Sequence, residues 1–331
     1  MRKRPDLTRR HELEQFLSWL LGKHPQTEIT GTATGRSLRR SNTWCWDIEP
    51  RLGPASTTHH QILIDGLWVG SWCLLIAVTE TLEVLAWQWC ARESTAAWTA
   101  LLERLPAPAV VVCDGGAGIA SAVHRAWPAT RTQRCLFHVQ MNIRRHLTLN
   151  PRTDAGRRLL GLSRELSTVR DQDAVIAWRL KLEAWWQAHG HLTKERSYDG
   201  HRYWFTHDRL RKAWQLLAKL SRDGTLFTYV SCGNAHTTSP LEGGINNGIR
   251  TVLRNHRGMS EAHMKRAAEW FLALHEIPLE RAHELIPGPT PAPTPEDQKI
   301  DTEEEPEPNY YDTNTTAEEG LWARSGWAGR A

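Results

Sequence analysis

The chain has 331 residues, of which 40% are hydrophobic and 24% charged, a balance typical of a globular protein with one large or two moderate cores. No segment approaches the roughly eighteen uninterrupted apolar residues of a membrane span, and the basic N-terminus "MRKRPDLTRRHE" lacks the apolar stretch of a signal peptide, so we expect a cytoplasmic protein without membrane contact. Six cysteines without any Cys-x-x-Cys pair argue against a disulfide framework and against a zinc ribbon.

The net charge of +4 is unevenly distributed along the chain. From Leu285 to the C-terminus there are ten acidic and three basic residues. This segment, 285–331, is also rich in proline, and we expect a disordered acidic tail because it cannot bury enough apolar surface to fold. The rest carries 38 basic against 27 acidic residues and all 16 histidines, which favours a polyanionic partner such as nucleic acid, although many proteins without such a partner are equally basic.

Residues 1–50 are predicted to form a short helical segment. The stretch "RHELEQFLSWLLGKH" has an apolar stripe at helical spacing, and a second, basic helical piece follows at residues 36–40. A helix, a turn and a basic helix would make a small DNA-binding unit in which Arg36, Arg39 and Arg40 contact DNA. The alternative is a packing helix followed by a loop.

Residues 58–140 have the pattern of a mixed α/β sheet. Three short runs rich in β-branched and aromatic residues, "HQILIDGLWVG", "SWCLLIAVTE" and "EVLAWQWC", are separated by turn residues and predict three successive strands. A helix in "STAAWTALLERLP", a strand in "APAVVVCDGG", a helix in "GIASAVHRAWP" and a strand running into a helix in "TRTQRCLFHV" come next. Three strands in a meander followed by helix–strand–helix–strand predict one mixed sheet.

Residues 141–235 are predicted to be an all-α insertion, because two apolar stripes at helical spacing are followed by a third helix in "RLRKAWQLLAKLS". The two stripes are Leu159, Leu162, Leu166 and Val169, and then Ile176, Leu180 and Trp185. Residues 236–284 complete the sheet domain and end in the helix "SEAHMKRAAEWFLALHE", for which Ser260 is the predicted N-cap.

Two acidic residues follow buried strands. Asp65 comes directly after the apolar run 62–64, and Asp114 after the run 110–113. A sheet that places these strands side by side brings both carboxylates to one edge, where a bound cation would relieve their repulsion. With Glu242 they would supply three hard oxygen donors, which suit magnesium or manganese better than zinc. Each Asp-Gly pair could instead be a simple turn, and the glycine-rich stretch after Asp114 could hold phosphate, although it lacks the glycine pattern of a nucleotide-binding loop.

Glu242 lies in "TTSPLEGGINNGIR" and has two interpretations. With Ser239 as the N-cap, Glu242 would complete a capping box by bonding to the N–H of that serine. However, Gly243, Gly244 and Gly248 each weaken such a helix by roughly 1 kcal/mol relative to alanine. They favour close approach to another element or to a ligand instead. An ionised acid at a glycine-lined helix start suits a metal ligand.

The series "ILIDG", "VVVCDGGAGIASAVHRAWP", "QRCLFHVQMNIRRH" and "TTSPLEGGINNGIR" resembles the Mutator-like transposases of bacterial insertion sequences over roughly residues 60–275. The resemblance implies a ribonuclease-H-like catalytic domain with a DDE triad and a helical insertion before the glutamate. The spacing agrees, because 49 residues separate Asp65 from Asp114 and 128 separate Asp114 from Glu242. The resemblance makes these three acids catalytic and metal-binding, with two Mg²⁺ or Mn²⁺ ions as cofactors. Cys135 and His138 match the Cys-x-x-His signature of the family and are expected to support the active site; the alternatives are half of a zinc site, or a buried thiol and a core histidine.

The resemblance also implies a function and partners. We expect a transposase that cuts DNA at the terminal inverted repeats of its element and joins the freed 3′-hydroxyl to target DNA, acting at the nucleoid as a homodimer or higher homo-oligomer. Arg250, Arg254, His256 and Arg257 are expected to contact phosphates, which would make binding salt-dependent. A structure-selective nuclease on the same fold and a non-catalytic transposase relic that binds DNA are the alternatives.

Two features depart from the family pattern. Relatives commonly carry a longer N-terminal region with a cysteine-rich zinc module, so we expect either a truncated chain or recognition of the element ends through residues 10–45. The acidic tail is not part of the pattern either. Most tryptophans of the insertion fit core positions and one of them could stack on a distorted base, but the sequence does not select it from Trp178, Trp185, Trp186, Trp204 and Trp214.

Overall fold

The computed structural model describes residues 5–22, 26–30, 36–233 and 235–285, and its main sheet has five strands. The strands are β1 (Gln61–Val69), β2 (Trp72–Val78), β3 (Val84–Cys90), β4 (Val110–Cys113) and β5 (Arg131–Arg134). They lie in the order β3-β2-β1-β4-β5. β2 and β3 are antiparallel, whereas β4 is parallel to both β1 and β5. The predicted mixed α/β sheet is therefore confirmed.

The described helices begin in the N-terminal segment and continue to residue 276. They are α1 (Pro5–Leu21), α2 (Gln26–Thr30), α3 (Arg36–Ser41), α4 (Thr95–Leu102), α5 (Ala117–Ala126), α6 (Leu136–Leu147), α7 (Asp154–Glu165), α8 (Gln172–His189), α9 (Asp208–Arg222), α10 (Thr228–Cys232), α11 (Ser239–Leu241), α12 (Asn247–Asn255) and α13 (Glu261–Glu276). Short 3-10 turns lie at Thr43–Asp47, Leu166–Thr168, Gly190–Thr193 and Leu279–Leu285, and a π-helical turn lies at Glu242–Asn246. Each helix predicted from the apolar spacing between residues 95 and 147 is present.

The centre of the sheet is buried because its strands carry apolar residues on both faces. All four residues of β4 are buried, as are the first five of β1. Parallel strands covered on both faces have this near-continuous apolar pattern. Helices α4 and α5 supply the crossover connections that the parallel neighbours β1, β4 and β5 require.

The insertion has its own core, formed by α6 to α10. The predicted stripe from Leu159 to Val169 is buried in this core, as expected. The second stripe is correct only for Trp185, which is buried, because Ile176 and Leu180 are 54% and 64% exposed. Helix α8 instead buries the face that contains Trp178 and Trp185. Apolar residues lie on both faces of α8, so their spacing alone did not identify the buried one.

The insertion is also not entirely helical. A hairpin of β6 (Arg196–Tyr198) and β7 (Tyr203–Phe205) projects between α8 and α9. Its turn contains Asp199 and Gly200. The Asp199 carboxylate accepts the backbone N–H groups of His201 and Arg202, each at 2.9 Å. Gly200 has a φ of +93°, a conformation that favours glycine. An Asp-Gly turn between aromatic residues is a hairpin signal, and the helical pattern on both sides obscured it.

The described chain divides into two compact units. One comprises residues 55–67 and 73–243 and holds the main sheet and the insertion. The other comprises the described residues up to 54, residues 68–72 and those from 244 onward. In this second unit Leu13, Phe16, Leu17 and Leu20 of the predicted α1 stripe are buried, whereas its last residue, Leu21, is half-buried. The Ser260 side chain caps α13 as predicted.

Three expectations from composition can be compared with the described residues. All six cysteines are free, which agrees with the predicted absence of a disulfide framework. Among the helices of the described ranges, none has both the length and the apolar character needed to cross a membrane. The predicted disordered tail, 285–331, lies outside the described residues except for Leu285.

Candidate active site

Asp65 and Asp114 occupy matching positions on neighbouring strands. β1 and β4 are paired up to Leu63↔Val112, and each aspartate lies two residues beyond this pair. Because side chains alternate along a strand, both aspartates belong to the face that carries Leu63 and Val112. Both are nearly buried, with 8% of Asp65 and 6% of Asp114 exposed. One part of the sequence interpretation is wrong: Asp65 does not end its strand, because β1 continues through Gly66 to Val69.

The turn after β4 fixes the position of Asp114. Its Oδ1 accepts the N–H of Gly116 at 3.0 Å, and Gly115 has a φ of +74°. Arg134 donates from Nη1 to the Gly115 carbonyl at 2.8 Å, and its guanidinium fills the space that a side chain at Gly115 would need. Asp114 therefore also forms the Asp-Gly turn that the sequence offered as an alternative to a metal-binding role. Arg134, which the sequence analysis did not select, supports this turn.

Cys135, the residue directly after β5, continues the same row. β4 and β5 are paired up to Cys113↔Arg134, and the Cys135 N–H donates to the Cys113 carbonyl at 2.8 Å. Cys135 is thus the neighbour of Asp114 in the register. Adjacent strands lie about 4.8 Å apart, so the row of Asp65, Asp114 and Cys135 crosses three strands on one face of the sheet.

Cys135, His138 and Glu242 form a cluster at the end of this row. One ligand atom from each, the Cys135 sulfur, a His138 ring nitrogen and a Glu242 carboxylate oxygen, lie within 4.8 Å of one another. No other group of three potential metal-binding side chains of these types occurs in the part of the chain that the structure describes. His138 Nδ1 is 3.7 Å from Glu242 Oε1, and the side chains are 3% and 26% exposed, respectively. The structure therefore brings Glu242 to the two residues of the Cys-x-x-His pair.

Two threonines that the sequence analysis did not select connect Glu242 to Cys135. The Thr238 hydroxyl donates to Glu242 Oε1 at 2.9 Å and lies 3.3 Å from Cys135 Sγ, while the Thr238 N–H donates to the same sulfur at 3.3 Å. The Thr237 hydroxyl is 3.4 Å from the sulfur. Burial raises the pKa of Cys135, but the hydrogen bond and charge of His138 and the two hydroxyls outweigh burial and lower it to about 7.

The capping box predicted around Glu242 is wrong. The helix begins with Thr238 as its N-cap, and the Ser239 N–H donates to the Thr237 hydroxyl at 3.0 Å. The Glu242 carboxylate binds the Thr238 hydroxyl instead of reaching back to Ser239. Glu242 also starts the π-helical turn Glu242–Asn246, and π turns inside helices are frequent at functional sites.

The glycines after Glu242 do not share one role. A side chain at Gly248 would meet the ring of Phe271, so this glycine permits α12 to pack closely on α13. The predicted close approach is thus confirmed at Gly248, where the neighbour is a helix. At Gly243 an added Cβ would have no atom within 4 Å.

The predicted phosphate contacts of α12 and the residues after it differ in availability. Arg250, Arg254 and Arg257 are exposed, and Arg254 also donates to the Thr251 hydroxyl at 3.1 Å. His256 is not available as predicted, because its Nε2 is 2.7 Å from the Leu20 carbonyl. The half-buried ring therefore serves packing against α1.

The basic piece in the N-terminal segment is helical, as predicted, and corresponds to α3. Arg39 and Arg40 are exposed near its end. Arg39 Nη1 is within 3.4 Å of Gln26 Oε1. The side chain of Arg36 lies outside the described part of the structure.

Comparison with known proteins agrees with the motifs. Residues 69–197 match the family model described as "Transposase, Mutator family". The chain resembles Mutator-family transposases. The resemblance inferred from the motifs is thereby confirmed, and the matched range contains Asp114, Cys135 and His138 but neither Asp65 nor Glu242.

Two curated relatives of this kind are transposases of insertion sequences. The transposase for insertion sequence element IS905 of Lactococcus lactis subsp. lactis (strain IL1403) is 32% identical over 80 residues, which cover 22% of this chain and 20% of the relative. The transposase for insertion sequence element IS6120 of Mycolicibacterium smegmatis is 40% identical over 57 residues, 16% of this chain and 18% of the relative. The chain spans about one fifth of the length of these relatives.

Proposed function

We propose that the chain is a metal-dependent DNA transposase whose ribonuclease-H-like domain uses Asp65, Asp114 and Glu242 as catalytic acids. The observation that carries this proposal is the matching register of Asp65 and Asp114 on β1 and β4, with both side chains nearly buried. Acids on neighbouring strands repel each other where their carboxylates approach, unless a proton or a cation neutralises them. A divalent cation bound between the two aspartates would relieve this repulsion.

The donor chemistry of these residues fits Mg²⁺ or Mn²⁺. Asp65 and Asp114 offer only carboxylate oxygens, the ligands that hard divalent cations prefer. When bound, such ions would help to activate the attacking hydroxyl and stabilise the leaving oxygen of the phosphodiester. The chain's own contribution is to hold the two carboxylates at fixed positions: Asp65 through the β1–β4 ladder, and Asp114 through the turn that Arg134 supports.

Glu242 joins this site through Cys135. Cys135 is the register neighbour of Asp114, and Thr238 joins its sulfur to the Glu242 carboxylate. We assign Cys135 and His138 a supporting role, because His138 Nδ1 lies 3.7 Å from Glu242 Oε1 and the Thr238 hydroxyl that donates to this oxygen also lies 3.3 Å from the Cys135 sulfur. In this arrangement the Thr238 hydroxyl bonds to Glu242 Oε1, and His138 Nδ1 lies 3.7 Å from the same oxygen.

DNA is the substrate and partner in this proposal, both as the terminal inverted repeats of an element and as the target. The exposed guanidinium groups of Arg250, Arg254 and Arg257, with those of Arg39 and Arg40, supply phosphate contacts. The excess of basic residues outside the tail supports such a partner. Because two ends must be brought together, the proposal includes a homodimer or higher oligomer.

A cleavage assay tests the function. Supercoiled plasmid carrying the DNA that flanks the gene is incubated with purified protein and Mg²⁺ or Mn²⁺, beside the Asp114→Asn variant. We expect metal-dependent cuts at discrete ends and, with added target DNA, joined products, none of which the variant forms. Scattered cuts without end preference would favour the structure-selective nuclease instead. Binding without any cleavage would contradict the catalytic role and favour a DNA-binding relic.

A further inference from the structure

The hairpin β6–β7 presents an exposed aromatic face. The cross-strand pairs Tyr198↔Tyr203 and Arg196↔Phe205 lie on the same side of the hairpin, because side chains alternate between its two faces. The two tyrosine rings are stacked, with centroids 4.5 Å apart and planes 24° apart, and the residues are 55% and 69% exposed. We call these four residues the tyrosine face. Trp204, 43% exposed, lies on the opposite face.

The tyrosine pair does not serve the core of the insertion. That core is filled by other aromatic residues, including the buried Trp178 and Trp185. Trp186 and Trp214 stack on each other at 4.0 Å, partly buried against the same core. Exposed aromatic rings outside the core remain available to a ligand with its own flat ring.

Positive charge accompanies the tyrosine face. The guanidinium groups of Arg196 and Arg211 lie over the Phe205 ring, at 5.1 Å and 4.0 Å from its centroid. Two acidic groups near the hairpin have other contacts: Asp199 accepts backbone N–H groups in the turn, and Glu195 lies 3.3 Å from a His207 nitrogen. Arg211 also lies near an acid, because its Nη1 is 3.9 Å from Asp208 Oδ1. Stacked rings with guanidinium groups over the neighbouring ring suit a flat, anionic partner.

A basic cleft begins where the hairpin ends. It has a volume of about 480 Å³, and His146, Arg152, His207 and Arg209 are among its lining residues. Burial lowers the pKa of His146, and the charges of Lys212, Arg209 and Arg145 lower it further. The two arginines that line the cleft, Arg152 and Arg209, would favour phosphate groups.

We propose that the tyrosine face stacks on an unpaired DNA base while the adjoining cleft holds the backbone phosphates of the same strand. This inference rests on the proposed function, in which DNA is the substrate. An aromatic ring accepts any base because every base has a π face, and the guanidinium groups hold the strand without reading its sequence. The bases of an intact duplex are already stacked on their neighbours, so the tyrosine face selects a strand that is open or distorted.

Fluorescence anisotropy of the full-length protein tests the proposal. The labelled probes are an element-end duplex, the same duplex with a three-nucleotide bulge, and a single strand. For the Tyr198→Ala/Tyr203→Ala variant we expect about tenfold weaker binding to the bulged and single-stranded probes. Binding to the intact duplex should change less than twofold, and Tyr203→Phe should bind like the wild type. Trp204→Ala, on the opposite face, and Leu180→Ala, on an exposed position of α8, are matched controls that should also bind like the wild type.

The outcomes separate this inference from the proposed function. Unchanged binding of unpaired DNA by the double variant, with an unchanged thermal midpoint, would overturn the inference whether or not the wild type cleaves DNA. A change in oligomeric mass without a change in DNA affinity would overturn it as well, since the face would then bind protein. Loss of preference for unpaired DNA by the double variant supports the inference even if no cleavage is found, because anisotropy does not depend on catalysis.

Discussion

Thr238 is the residue whose replacement tests the geometry of the candidate site most selectively. Thr238→Val preserves the shape of the side chain and removes the hydroxyl that donates to Glu242 Oε1 at 2.9 Å. A hydrogen bond to a charged group contributes roughly 1.5–3 kcal/mol. Because the Glu242 side chain is 26% exposed, the lower value applies. If that contact positions Glu242 for reaction, a loss of about 1.4 kcal/mol lowers the cleavage rate about tenfold.

The assay is single-turnover cleavage of an element-end duplex in Mg²⁺, with the rate measured at several DNA concentrations. We expect the maximal rate to fall and the DNA concentration for half-maximal rate to stay unchanged, because Thr238 positions an acid and does not touch DNA. Thr238→Ser should recover most of the rate. Thr237→Val is not a neutral control, because the Thr237 hydroxyl lies 3.4 Å from the same sulfur and also accepts the Ser239 N–H at the start of α11. Wild-type rates in Thr238→Val would refute the positioning role.

Two further predictions concern stability. Gly248→Ala should destabilise the protein by roughly 1–3 kcal/mol, because the added methyl group would meet the Phe271 ring, whereas Gly243→Ala, with open space around the new Cβ, should not lower the thermal midpoint. Burial and neighbouring positive charges lower the pKa of His146 below its usual 6.5, so its neutral form is favoured by folding. The contribution of His146 to the stability of the fold is therefore complete above pH 6.5 and is lost as the pH falls through the pKa of His146 in the folded state. We measure the free energy of unfolding by urea titration between pH 5 and 7. It should fall less towards pH 5 in His146→Gln than in the wild type. An equally small fall in the control His124→Gln, which replaces an exposed histidine, would contradict the role of His146.

The strand pattern was sufficient to predict that Asp65 and Asp114 become neighbours, because each follows an apolar run and a mixed sheet aligns such runs. It was not sufficient to locate the end of β1, since the residues after Gly66 continue the apolar pattern to Val69. The contacts of the Glu242 side chain could not be predicted from the sequence either. The capping-box pattern is local, whereas the Thr238 contact depends on the segment before α11 packing against Cys135, which is 103 residues away.

In the insertion, too, the sequence pattern predicted the helices but not how they pack. Helical spacing identified its helices, but in α8 apolar residues occur on two faces, and the packing of α7 and α9 decides which face is buried. Ile176 and Leu180 lie on the face of α8 that is not buried, and they are therefore exposed. The hairpin β6–β7 is two short strands without a third strand beside them among the described residues, so it carried too little pattern to be distinguished from the helices on either side.

Iron-directed cleavage of the polypeptide tests whether Asp65, Asp114 and Glu242 share one divalent-metal site. Fe²⁺ replaces Mg²⁺ in the protein, ascorbate and peroxide generate hydroxyl radicals at the bound ion, and the sites of backbone cleavage are read by mass spectrometry. We predict cleavage near all three acids, suppressed by excess Mg²⁺ and abolished in Asp114→Asn. Cleavage confined to the neighbourhood of Cys135, His138 and Glu242, unaffected by Asp114→Asn, would contradict the claim and assign the metal to the cysteine–histidine–glutamate cluster alone.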